Sequence, residues 1–162
     1  MNTTIRSILV PVDFSLYSDH AVAYAARLAK KLAASVELLH VVDDPVIAGA
    51  WGTEVYVPDL TALLESVATE AQTRLAVAVA GLRGQGLAAS STVRQGNPER
   101  AIVDYATSGH FDLIVIGSHG RTGLSHALLG SVAERVLRHA PCAVLTITDA
   151  AVRHQHAAAP AA

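Results

Sequence analysis

The feature that most constrains this chain is an alternation of two periods. Short apolar runs of strand length are separated by longer segments in which apolar residues recur every three or four positions. The runs are Ile5 to Val12, Val36 to Val42, Ala88 to Arg94, Asp112 to Ile116 and Ala143 to Thr148. Between the first two, Ala21, Tyr24, Ala25, Leu28, Ala29 and Leu32 mark one face of a helix, with start signals at Ser15, Ser18 and Asp19. A second helical stripe runs from Leu60 through Leu64, Ala71, Leu75 and Leu82, and Gly84 and Gly86 stop it. Asn97-Pro98-Glu99 reads as N-cap, first helical position and first-turn acid of a third helix, which ends near Gly109. Ser131-Val132-Ala133-Glu134 has the spacing of a capping box and opens a fourth, ending before Pro141. Strand and helix in strict alternation imply an α/β fold, an open five-stranded, mostly parallel sheet in a three-layer sandwich with right-handed crossovers. Four consecutive apolar residues in Asp112 to Ile116 suit a strand covered on both faces, whereas Ala88 to Arg94 is polar enough for an edge.

A length of 162 residues fits one domain, expected over residues 1–149, with the Ala-rich stretch 150–162 as a mobile tail. With 51% apolar and 16% charged residues, the chain is not of the disordered class. Twelve basic against fourteen acidic residues leave no positive excess to drive binding to nucleic acid. No apolar run approaches the ~18 residues of a membrane span, and no secretory leader pattern is visible. Cys142 is the only cysteine, which excludes an internal disulfide framework and points to the cytoplasm. The connection from Asp43 to Asp59, with Pro45, Gly49, Trp51, Gly52 and Pro58, is unusually long and suits a surface loop or a lid.

In open parallel sheets, ligands sit beyond the carboxyl ends of the strands where the strand order reverses. Asp13, Phe14 and Ser15 follow the first run, and Asp43 and Asp44 the second. Gly117-Ser118-His119-Gly120-Arg121-Thr122-Gly123 follows the fourth, and Gly130-Ser131 stands at the next helix start. Glycines let backbone approach a ligand, free amides form an anion nest, and a helix start adds donors and a positive pole. With the charge of Arg121 and the hydroxyl of Ser131, this segment suits a polyphosphate. The spacing Gly117, Gly120, Gly123 is not the dinucleotide fingerprint G-x-G-x-x-G, and a P-loop is excluded because the only lysines, Lys30 and Lys31, lie on the first helix. His139 and Cys142 lack the second pair a structural metal site requires.

Three stretches carry a resemblance: the opening Ile8-Leu9-Val10-Pro11-Val12-Asp13-Phe14-Ser15, the pattern Gly117-x2-Gly120-x9-Gly130-Ser131, and the ending Val132 to Leu145. Through them, residues 5 to 148 resemble the nucleotide-binding branch of the universal stress proteins. The resemblance implies a Rossmann-like sheet of strand order 3-2-1-4-5. It implies an adenine nucleotide, ATP or else ADP or AMP, with Mg²⁺ carried through the phosphates. Pro11, Val12 and Asp13 would lie by the adenosine, and Val41 would meet adenine through its backbone. Gly117, His119, Gly120 and Arg121 would line ribose and phosphates, with Gly130 and Ser131 on the phosphates. It also implies a homodimer through the fifth strand, Ala143 to Thr148, and a nucleotide-dependent regulatory role toward a partner protein with little or no hydrolysis. Asp13 admits two readings, helix cap and ligand contact; His119 also admits two, phosphate contact and solvent exposure. No catalytic residue is assigned. A slow ATPase and a ligand-free dimeric scaffold are the alternatives.

Overall fold

Strand β1 (Ser7–Pro11) runs through the middle of a five-stranded sheet. The computed structural model describes residues 4–43, 60–119 and 129–148. Strands β2 (Ser35–Val42), β3 (Ala89–Gln95), β4 (Leu113–Gly117) and β5 (Ala143–Ile147) complete the order β3-β2-β1-β4-β5, and every neighbouring pair is parallel. The connection through residues 44–59, the tail from 149, and Gly120 and Arg121 lie outside the described residues. The helices are α1 (Leu16–Leu32), α2 (Leu60–Gly84), α3 (Pro98–Ser108) and α4 (Ser131–His139). Among the described residues, no helix is long and apolar enough to cross a membrane.

The pleat sorts side chains between two cores, because successive residues of a strand point to opposite faces. Ile8 and Val10 of β1, with Leu113 and Val115 of β4, pack on Ala21, Ala25 and Ala29 of α1 and Leu75, Val79 and Leu82 of α2. Leu9, Ile114 and Ile116 face the other way, onto Ile102 and Ala106 of α3 and Ala133 and Val136 of α4. Leu9 and Ile114 are fully buried, and each such side chain contributes about 1.5–3 kcal/mol. The alanine face of α1 lets the helix lie close to the sheet. β3 is an edge strand, as its polarity implies, and its Ser90 and Thr92 donate to Glu37 of β2.

Helix starts follow local chemistry in two cases and depart from it in a third. Ser15 Oγ accepts from the Ser18 amide at 3.3 Å, and Asn97 Oδ1 accepts from the Arg100 amide at 3.2 Å. The capping box expected at Ser131 does not form. Gly130 is the N-cap and has no side chain to accept a bond; Ser131 is the first helical residue, and Glu134 pairs with Arg138 at 2.8 Å. The Gly130 amide donates to Ser118 O at 2.7 Å, and its carbonyl accepts from the Glu134 amide at 2.8 Å. That tie to the end of β4 starts the helix one residue earlier than the serine pattern implies.

Candidate functional site

After β1 the chain leaves to one face of the sheet, and after β4 to the other. A crevice opens between the two exits. It holds a cavity of about 280 Å³. Pro11, Val12 and Asp13 line it from the end of β1, Leu39, Val41 and Asp43 from β2, and Ile116, Gly117 and His119 from β4. Ser18 of α1, Pro98 and Ile102 of α3, and Gly130 to Ala133 at the start of α4 close it.

The walls differ in chemistry. On the side of β1 and β2 stand two carboxylates, Asp13 after β1 and Asp43 after β2. Asp13 Oδ1 accepts from the Ser15 amide at 3.0 Å and from the Ser15 hydroxyl. The cap of α1 is therefore Ser15, and Asp13 braces it from the cavity wall. The middle is apolar, with Leu39, Val41, Ile102 and Ile116 shared between the cavity and the second core.

The β4 side is a donor surface. Among the described residues no side chain caps α4, so the first-turn amides of Ser131, Val132 and Ala133 stand as donors at the positive end of a helix. Ser131 is exposed, and its place at the first helical position releases its hydroxyl from capping. His119 Nδ1 lies 3.0 Å from Ser118 Oγ, and its ring centroid lies 5.1 Å from that of Tyr17. His119 Nε2 is buried without a hydrogen-bond partner among the described residues. A buried nitrogen left unpaired costs about 1–3 kcal/mol, which a ligand oxygen would recover in the tautomer that carries the hydrogen on Nε2, with Nδ1 accepting from the Ser118 hydroxyl.

Of the expected site residues, Pro11, Val12, Asp13, Val41, Gly117, His119, Gly130 and Ser131 meet at this one cavity. Gly120 and Arg121 lie outside the described residues. Sequence reasoning missed Ser18, Leu39, Pro98, Ile102, Ile116, Val132 and Ala133. Pro98 was within reach, since it follows the carboxyl end of β3 by the same rule that led to Asp13 and Gly117. The apolar ones carried only a core signal, and they are core residues as well as lining. Among the described residues, no three His, Cys, Asp or Glu side chains gather as metal ligands. Cys142 packs against the second core, where burial pushes its thiol up.

Comparison with known proteins gives a consistent result. The family model described as Universal stress protein family matches residues 4–148. The Universal stress protein MJ0531 of Methanocaldococcus jannaschii is 33% identical over 147 residues, covering 88% of this chain and 81% of that one. Among solved structures, the universal stress protein UspA from Lactobacillus plantarum superposes with a TM-score of 0.77 at 31% identity, covering 90% of this chain and 99% of that one. The universal stress protein from Archaeoglobus fulgidus in complex with dAMP has a TM-score of 0.62 at 25% identity, covering 89% and 98%.

Proposed function

The chain belongs to the universal stress protein family, and from that premise we propose that it binds an adenine nucleotide in the crevice between β1 and β4. The observation that carries this reading is the uncapped start of α4 opening on a cavity with an apolar middle and two carboxylates opposite. Phosphates belong at the amides of Ser131 to Ala133, with Gly130, the Ser131 hydroxyl and His119 around them. The carboxylates repel phosphate, so the nucleoside belongs on the β2 side, with Asp13 at ribose and base and the Val41 backbone at adenine. Pro11, Val12 and Gly117 form the wall between, and Gly120 and Arg121 belong on the phosphate path. The A. fulgidus relative in complex with dAMP supports the nucleotide class.

Hydrogen bonds to charged groups contribute about 1.5–3 kcal/mol each. Three amides therefore supply an amount similar to the cost of association, about 4–15 kcal/mol. Affinity in the micromolar to millimolar range is expected, without a lysine clamp. For ATP, the donor set suits Mg²⁺ held by phosphate oxygens and water, as this ion prefers. Hydrolysis requires an oriented water at the terminal phosphate. Asp13 and Asp43 stand on the nucleoside side, so little or no turnover is expected. The role that follows is regulatory: nucleotide occupancy alters the surface around α4 that a partner protein reads. The reading includes one nucleotide-binding unit over residues 1–149 with 150–162 as an appendage, in the cytoplasm. It also includes a homodimer joined at β5, whose edge position supports such pairing.

Calorimetry with ATP and AMP tests the central statement. Saturable binding of either is expected, and no saturation at millimolar nucleotide overturns it. An ATPase rate above ~1 per second, ordinary for an enzyme, would overturn the regulatory reading in favour of catalysis.

A further inference from the structure

The segment between Pro11 and Ser15 is held by three residues outside the nucleotide contacts named above. Phe14 sits in the left-handed region at φ 63°, a backbone state that a bulky aromatic adopts only where its surroundings impose it. The surroundings are visible. The Phe14 ring packs against the His40 ring at a tilt of 35°, with centroids 4.6 Å apart. On the same ring stands the Arg74 guanidinium of α2, its carbon 3.9 Å from the centroid, well inside cation–π range. His40 is buried on β2, and its Nδ1 lies 2.7 Å from Val12 O. A carbonyl oxygen only accepts, so His40 Nδ1 carries a hydrogen and donates it. The Val12 amide in turn donates to Leu39 O at 2.8 Å. Val12 is thus tied to β2 through both its peptide groups, and Phe14 is clamped from above. Asp13, the wall residue between them, has both neighbours fixed.

We propose that Arg74, Phe14 and His40 are positioning residues that set Asp13 for the nucleoside before any ligand arrives. This rests on the nucleotide reading and extends it to α2, an element that contributes no residue to the cavity wall. The physical basis is pre-organisation. A strained loop held in its binding geometry spares the ligand the cost of ordering it. Removing the clamp leaves Phe14 free to relax toward negative φ, and Asp13 turns with it. Arg74 is the informative handle, because its side chain is exposed and a substitution there leaves both cores intact.

The experiment compares wild type, Arg74→Ala and Arg74→Lys by calorimetry with two probes, AMP and inorganic tripolyphosphate. The clamp acts at the nucleoside end, whereas tripolyphosphate engages the phosphate end, at the amides of α4 and the groups around them. Arg74→Ala is expected to weaken AMP binding about three- to tenfold, Arg74→Lys to recover part of that loss, and tripolyphosphate binding to stay unchanged in both. Equal losses for both probes would show a general structural effect and overturn the positioning role, as would wild-type affinity for AMP in Arg74→Ala. Wild-type protein that binds tripolyphosphate but neither AMP nor ATP would overturn the nucleotide reading itself, a result distinct from failure of the clamp.

Discussion

Gly117 shows how one missing carbon can shape a site. A loop glycine at this place suggests freedom to take positive φ, yet Gly117 is not among the positive-φ residues; Gly86 at 83° and Gly96 at 127° are. What Gly117 supplies is space. A Cβ there would stand 2.9 Å from Tyr17 Cβ and 3.0 Å from the Tyr17 carbonyl carbon and oxygen. Both partners are anchored, one in the sheet and one in the first turn of α1, so neither yields cheaply. Gly117→Ala is expected to lower stability in urea by about 1–3 kcal/mol, the usual cost of overpacking. It should also displace the start of α1, which carries Ser18 of the cavity wall, and so weaken AMP binding. Unchanged unfolding midpoints would contradict this packing role. Gly109 repeats the lesson, since a Cβ would press into the Phe111 ring while the positive φ falls on the next residue, His110.

At the level of the element, α4 is built to leave its own start unfinished. α1 and α3 satisfy theirs with Ser15 and Asn97, whereas α4 begins at a glycine with φ −60° and ψ 147°, a conformation open to any residue. A helix that needed only stability would carry Asp or Ser there. Gly130→Asp is therefore expected to have two opposite effects. The carboxylate caps the helix and meets its positive pole, raising stability by about 0.5–1 kcal/mol. It also occupies the proposed phosphate position with like charge, so tripolyphosphate and ATP affinity are expected to fall by at least about tenfold. Denaturation and calorimetry on one sample read both signs. A variant that gains stability and keeps its affinity would place the phosphates elsewhere.

For the whole molecule, the entries of the two central strands β1 and β4 are tied together by one carboxylate. Asp112 Oδ2, at the entry to β4, accepts from the Arg6 amide at 2.8 Å, the Ser7 amide at 3.0 Å and the Ser7 hydroxyl at 2.9 Å, at the entry to β1. The bond from the Arg6 amide is the largest cause holding this carboxyl below its ordinary range, and the Ser7 hydroxyl follows. A carboxyl depressed on folding binds protons more readily in the unfolded chain. Its stabilisation is thus fully present above the unfolded value, near 3.9, and is lost as pH falls through the lower folded value. Asp112→Asn should lower stability at neutral pH and flatten the decline below about pH 4. Stability profiles of the two proteins that stay parallel through that range would remove Asp112 from this role. The β1–β4 junction it secures is the one whose other end forms the cavity.

The alternation of periods in the sequence was enough to determine five parallel strands between helices. The rule about strand ends then located part of the cavity wall: Asp13, Asp43, Gly117 and His119 at or just past strand ends, and Gly130 and Ser131 at the following helix start. Pro11, Val12 and Val41 came from the family resemblance. Contacts between segments distant in sequence were decided only in three dimensions. The start of α4 moved to Gly130 because its amide meets Ser118. Ile102 and Ile116 line the cavity because two helices meet the sheet beside a reversal of strand order. The clamp of Arg74, Phe14 and His40 joins α2, a loop and β2, and no local pattern signals it. Periodicity is a property of neighbours along the chain, so it reports elements. A binding surface is made where elements meet, and that geometry exists only once they pack.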